Sequence, residues 1–135
     1  MQSSAAKPFT VRPLAALAAT LLVGIAVVRS PRAADLAAGQ KIFARCRICH
    51  TVAAGAPSAV GPNLHGLFGR KAGSVADFAY SPAMKASGIT WNDATLTKFL
   101  RDPRGFIPGN RMAFPGIKDD QQLADLLAYL KQATR

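Results

Sequence analysis

The sequence predicts an all-α domain of short helices and long loops wrapped around a large apolar cofactor, and three observations carry that prediction. After Ala34, apolar residues recur at helical spacing in separate stretches, without hairpin dipeptides or sustained apolar/polar alternation. From Thr51 to Tyr80 no regular element is discernible, and a structureless loop of that length in a compact domain argues either against the assignment or for something else filling the core, which a large apolar cofactor would supply. The chain has 135 residues, 50 % of them hydrophobic and 18 % charged, which excludes a disordered polymer and leaves no room for a second core.

Residues 1–34 have the pattern of an export signal: Lys7 and Arg12, then the uncharged, mostly apolar run Leu14 to Val28, then Ala33 and Ala34 before Asp35. Arg32 stands where a cleavage site wants a small residue, so an uncleaved membrane anchor is the alternative, although the run is shorter than the roughly 20 residues that span a bilayer. Residues 35–135 are then the folded domain. Asp35 can N-cap a first helix with Leu36, Gly39, Ile42, Phe43 and Cys46 on one side, and Gly39 offers a flat spot for another helix. Ser81 followed by Pro82 opens a short helix that Gly88 can close. Asn92 caps a third, with Leu96, Phe99 and Leu100 on its apolar face, stopped by Pro103. The last runs from about Asp119 to Ala133, with Leu123, Leu126, Leu127 and Leu130 at helical spacing.

The charge is strongly basic: 17 Lys and Arg against seven acids, all of them Asp, for a formal +10. Residues 35–135 hold 13 basic groups against the seven Asp, a formal +6. Partners should therefore be acidic.

Both cysteines of the chain lie in Cys46-Arg47-Ile48-Cys49-His50, followed directly by one of its two histidines. Random placement would produce this arrangement on the order of 2 times in 10,000, and it is the pattern of covalent c-type haem attachment. On a helical turn residues three apart share a face, so both thiols can add to the two vinyl groups of one haem, while His50 reaches the iron from the same side. A thioredoxin-type pair would need a βαβ setting, and no strand precedes the motif. Zinc would need four ligands, and His65 would have to join three that are crowded together. The export pattern agrees independently, because this haem is attached outside the cytoplasmic membrane.

From Asp35 to Arg135 the sequence resembles a class I cytochrome c of the mitochondrial and α-proteobacterial type. The resemblance rests on GQKIFARCRICHTV, GPNLHGLFGRKAG, YSPAMKASGITW, IPGNRMAFPGI and the closing LLAYLK, in that order. It implies one covalent haem c, a small cytochrome c fold, and Met112 as sixth ligand opposite His50. A thioether is a soft, neutral ligand suited to haem iron, and Met84 is the competing methionine, read as core packing. The resemblance further implies that the Pro62 carbonyl accepts from the outer nitrogen of His50, that Arg70, Tyr80 and Trp91 hold the propionates, that His65 hydrogen-bonds loop backbone, and that Phe114 covers the haem edge. Phe99 and Met84 depart from the family, standing where many relatives have Tyr and Asn, and make the pocket more apolar.

Such a ligand set implies a one-electron carrier and not an enzyme, because His and Met together leave iron no open position. The alternative is a peroxidase-like haem protein with a displaceable Met112. The resemblance implies acidic redox complexes as partners, a quinol-oxidising cytochrome bc complex on one side and a terminal oxidase or reaction centre on the other. It puts Arg45, Arg104, Arg111 and Lys118 around the exposed haem edge. It implies a monomer in the periplasm, with no nucleic-acid partner and with membrane contact only through an uncleaved segment of residues 1–34.

Overall fold

The computed structural model describes residues 32–135, so most of the expected signal or anchor, residues 1–31, lies outside the described residues. Five helices occur in this order: α1 (Leu36–Phe43), α2 (Pro82–Ala86), α3 (Asp93–Arg101), α4 (Pro103–Phe106) and α5 (Asp120–Ala133). Among the described residues there is no strand, only an isolated bridge between Lys71 and Thr90, and no helix is long and apolar enough to cross a membrane.

The helix starts predicted at Asp35, Ser81 and Asn92 are capped by those residues, and Asp119 caps the last helix as well. The Asp35 carboxylate accepts from the Ala37 and Ala38 N–H groups, the Ser81 hydroxyl from Met84 N–H, and the Asp119 carboxylate from Gln122 N–H. These are orphan donors of a first turn, which short polar side chains satisfy. Asn92 and Thr95 form a reciprocal capping box at the start of α3. Pro103 does more than the sequence indicated. It ends α3 and occupies the first position of α4, a single turn that sequence reading missed because its four residues carry no apolar periodicity. The Asp102 carboxylate, which accepts from Gly105 N–H, caps it.

The core joins Phe43 of α1, Leu96, Phe99 and Leu100 of α3, and Leu123, Leu126, Leu127 and Leu130 of α5 to Leu67, Trp91, Ile107 and Ile117 from the connections. The helix stripes thus face one another, as their spacing required. α1 crosses α5 where Gly39 has no side chain: a Cβ there would lie 2.7 Å from the Tyr129 Cβ and would overlap the Asp125 carbonyl. Backbone cannot give way as a side-chain end can. Gly39→Ala should therefore cost about 3 kcal/mol, the upper part of the usual range for overpacking, read as a lower denaturant midpoint at unchanged slope. An unchanged midpoint would contradict this crossing.

The same junction contains a buried acid. Asp125 accepts the Asp35 N–H at 2.8 Å and the Gln121 side-chain amide at 2.9 Å, with Arg32 at 3.8 Å. The Asp35 N–H, and then the Gln121 amide and the Arg32 charge, hold its carboxyl below the usual carboxylate range against the opposing effect of burial. Its stabilising contribution is complete above the unfolded value of about 3.9 and is lost as pH falls through the lower folded value. Asp125→Asn should be less stable than the parent at neutral pH and should lose less of its stability on acidification below about pH 4, as measured by denaturant midpoints across that range. Parallel pH profiles for the two proteins would contradict it.

Candidate haem site

Beyond Phe43, where α1 ends, the chain continues in hydrogen-bonded turns. The Phe43 carbonyl accepts from Cys46 and Arg47 N–H, and the Cys46 carbonyl accepts from Cys49 and His50 N–H, so Cys46, Cys49 and His50 lie on consecutive helical turns. The two thiols are free and half-buried. Burial pushes the Cys46 thiol up, which Arg45 only partly offsets. Thiolate redox exchange, by contrast, needs a depressed pKa.

His50 Nδ1 lies 2.8 Å from the Pro62 carbonyl oxygen. A carbonyl can only accept, so Nδ1 carries the proton and Nε2 keeps a free lone pair. Burial lowers the imidazole pKa, opposed by the Pro62 bond, and favours the neutral ring that a metal requires. The approach depends on Gly61, where a Cβ would stand 2.6 Å from His50 Cε1 and 2.8 Å from Nδ1. The Gly61 N–H also donates to the Cys49 carbonyl at 2.8 Å, fastening this loop to the cysteine turn. Gly61 and the loop residue Asn63 are functional neighbours that sequence reading did not single out; the only signal was the glycine directly before Pro62.

Asn63 is buried. Its side-chain amide donates to the Ala53 and Ala56 carbonyls at 2.9 and 2.7 Å and accepts the His65 N–H at 2.6 Å. Arg70 donates to the His65 and Asn63 carbonyls at 2.7 and 3.0 Å, contacts that the resemblance did not include. Burial lowers its pKa and raises that of Tyr80, and the proximity of the two groups opposes both shifts. The Trp91 N–H donates to the Arg70 carbonyl at 2.9 Å, and Trp91 is buried against Phe99, with ring centroids 5.0 Å apart. Arg70 thus lies beside Tyr80 and is joined to Trp91 through backbone. His65 corrects an expectation: its backbone N–H is satisfied by Asn63, but its buried ring Nδ1 has no partner.

Met112 is half-buried in the loop after α4, and its N–H donates to the Asn110 side-chain oxygen at 3.0 Å. The Asn110 amide in turn donates to the Pro103 and Ile107 carbonyls at 2.6 and 2.8 Å. This residue, also missed in the sequence, ties the methionine loop to α4. Met84, by contrast, is a buried core residue of α2. Val52, Leu64, Tyr80, Phe106, Met112 and Phe114 pack against the core but remain partly exposed. They are apolar side chains that the protein itself leaves partly uncovered.

Two thiols three residues apart, a histidine nitrogen with a free lone pair beside them and a set of partly uncovered apolar side chains fit a covalently bound haem, the group of a haem-carrying electron-transfer protein. Comparison with known proteins gives the family: the chain belongs to the cytochrome c family, whose pattern matches residues 36–134. It is 47 % identical over 112 residues to cytochrome c2 of Blastochloris viridis, covering 83 % of this chain and 88 % of the relative. It is 50 % identical over 103 residues to cytochrome c of Nigella damascena, covering 76 % of this chain and 93 % of the relative. The solved structure of cytochrome cH from Methylobacterium extorquens superimposes with a TM-score of 0.68 at 45 % identity, over 73 % of this chain and 98 % of that one. The protein is an electron carrier with one covalent haem c, for which Cys46 and Cys49 provide the attachment spacing.

Proposed function

We propose that Cys46 and Cys49 carry the haem, that His50 and Met112 would hold its iron, and that the carrier runs between a quinol-oxidising cytochrome bc complex and a terminal oxidase or photosynthetic reaction centre. The observation that supports this furthest is the pairing of His50 Nδ1 with the Pro62 carbonyl, which leaves Nε2 free on the helical path that holds both thiols. Bound there, the haem supplies a ferrous/ferric couple that takes up and releases one electron. Pro62 fixes the tautomer and orientation of His50 and raises its basicity. Asn110 steadies the loop of Met112, whose neutral thioether favours the ferrous state. Arg70, Tyr80 and Trp91 hold the propionates, while buried Met84 and Phe99 and the half-buried Phe114 keep water away. With His50 and Met112 both holding the iron, no place would be left on it for peroxide, which disfavours the peroxidase-like alternative. Residues 1–34 direct the domain of residues 35–135 to the periplasm, as a removed signal or as a retained anchor.

Arg45, Arg104, Arg111 and Lys118 are exposed, and none of them is paired with a carboxylate among the described residues. Elsewhere the acids are engaged: Lys131 pairs with Asp93 at 2.7 Å and Arg101 with Asp120. Uncompensated positive charge therefore remains on the residues proposed for docking, where it raises the encounter rate with an acidic partner without tightening the complex. Second-order electron transfer to membranes containing the partner complexes should slow as ionic strength rises through the range where the Debye length is about 10 Å. Neutralising Arg45 and Arg111 to Gln should lower the low-salt rate by about tenfold and flatten its salt dependence. Neutralising Lys131 and Arg135 should do much less. Equal effects from the two pairs would make net charge, and not a docking face, the controlling quantity.

A further inference from the structure

The Pro62–Asn63 peptide is held at both ends. Its carbonyl accepts from His50 Nδ1 at 2.8 Å, and its N–H donates to the Ser58 hydroxyl oxygen at 3.1 Å. That hydroxyl donates in turn to Asp77 Oδ1 at 2.8 Å, and the Ser58 backbone N–H donates to Asp77 Oδ2, also at 2.8 Å. Four groups thus form one unbroken chain in which every donor points the same way: imidazole N–H to carbonyl, peptide N–H to hydroxyl, hydroxyl to carboxylate. The buried Asn63 side chain, anchored to Ala53, Ala56 and His65, keeps the peptide from turning independently.

We propose that Asp77 and Ser58 are positioning residues for the haem-side imidazole, passing the influence of a surface carboxylate to His50 through the Pro62–Asn63 peptide. This rests on the reading of His50 as a ligand. A hydroxyl that donates to a carboxylate becomes a better acceptor. It draws on the peptide N–H and makes the Pro62 oxygen more negative, because hydrogen bonds in series polarise one another. The stronger acceptor pulls on the Nδ1 proton, makes Nε2 more basic and favours ferric over ferrous iron. The two Ser58 donors hold the Asp77 carboxyl below the ordinary range, so it is ionised at neutral pH. Asp77 lies 19 residues from Ser58 in sequence, so the arrangement also fastens one loop to another. A fastening role alone would not alter the iron.

The full-length holoprotein distinguishes the two. In the reduced, diamagnetic state, the His50 Nδ1 proton reports its hydrogen bond directly by NMR, and an equilibrium titration reports the potential. Asp77→Asn, which can keep an acceptor but removes the charge, and Ser58→Ala should each move the Nδ1 proton upfield. Each should also shift the balance about threefold toward ferrous, or about 28 mV at 59 mV per tenfold for one electron. Ser58→Thr should restore both readings, and the double variant should go no further than Ser58→Ala, because the two act in series. Parental proton shift and potential in Asp77→Asn and Ser58→Ala, with or without lower thermal stability, would overturn the proposal and leave only a fastener. A reduced parent without a haem-shifted His50 signal would overturn the ligand assignment, and this relay with it.

Discussion

Met112→Ala is expected to keep the haem covalently attached and the domain folded while removing the proposed sixth ligand. The side chain is half-buried and its loop is held through backbone, by Asn110 to Met112 N–H and by Asn110 to the Pro103 and Ile107 carbonyls, so truncation leaves that support in place. Three changes should appear together. The low-spin spectrum gives way to one that responds to added cyanide or peroxide, peroxidase activity rises from a negligible level, and the potential drops. Loss of a thioether that favours ferrous iron should move the balance about 100-fold toward ferric, about 120 mV at 59 mV per tenfold for one electron. Met84→Leu is the control, since Met84 is buried in the core and the exchange nearly conserves volume. Loss of methionine ligation in Met84→Leu, with ligation intact in Met112→Ala, would reverse the assignment.

A chain lacking both thiols should lose more than a bond. Cys46→Ala combined with Cys49→Ala is expected to run free of haem on a denaturing, reducing gel on which the parent retains it. The variant purified without haem should show no cooperative thermal transition. The reason lies in the core. Val52, Leu64, Tyr80, Phe106, Met112 and Phe114 present apolar surface that the helices do not cover, and residues 51–80 contribute loops in place of packed elements. A domain of this size has about 5–15 kcal/mol of net stability, and the loss of one large buried apolar group can remove it. Covalent haem in the double variant, or native-like helix content and cooperative melting without haem, would contradict this account.

Much of the fold was legible because helix ends are local. Asp35, Ser81, Asn92 and Asp119 each satisfy an N–H two or three residues ahead, so a short polar residue before an apolar period announces the boundary by itself. The helix of residues 103–106 was not legible for the same reason in reverse, since one turn gives periodicity nothing to repeat. His65 shows a different limit. A lone histidine is ordinarily satisfied nearby, but its Nδ1 lies buried without a partner, and that depends on how the loop folds over it.

The attachment motif was determined by the sequence itself, because two cysteines and a histidine within five residues stay close together whatever course the rest of the chain takes. The charge balance and the four capped or periodic helical stretches were determined in the same way. Tertiary structure decided the rest. Only the path of the chain brings Pro62 to His50 across Gly61, sets the Asp125 carbonyl over the side-chain-free Gly39, buries Met84 while leaving Met112 half-exposed, and joins Asp77 to Ser58. Contacts within a turn follow from bond geometry and spacing, whereas contacts between distant residues require loop closure, whose entropy is offset only when the whole core, haem included, assembles around them.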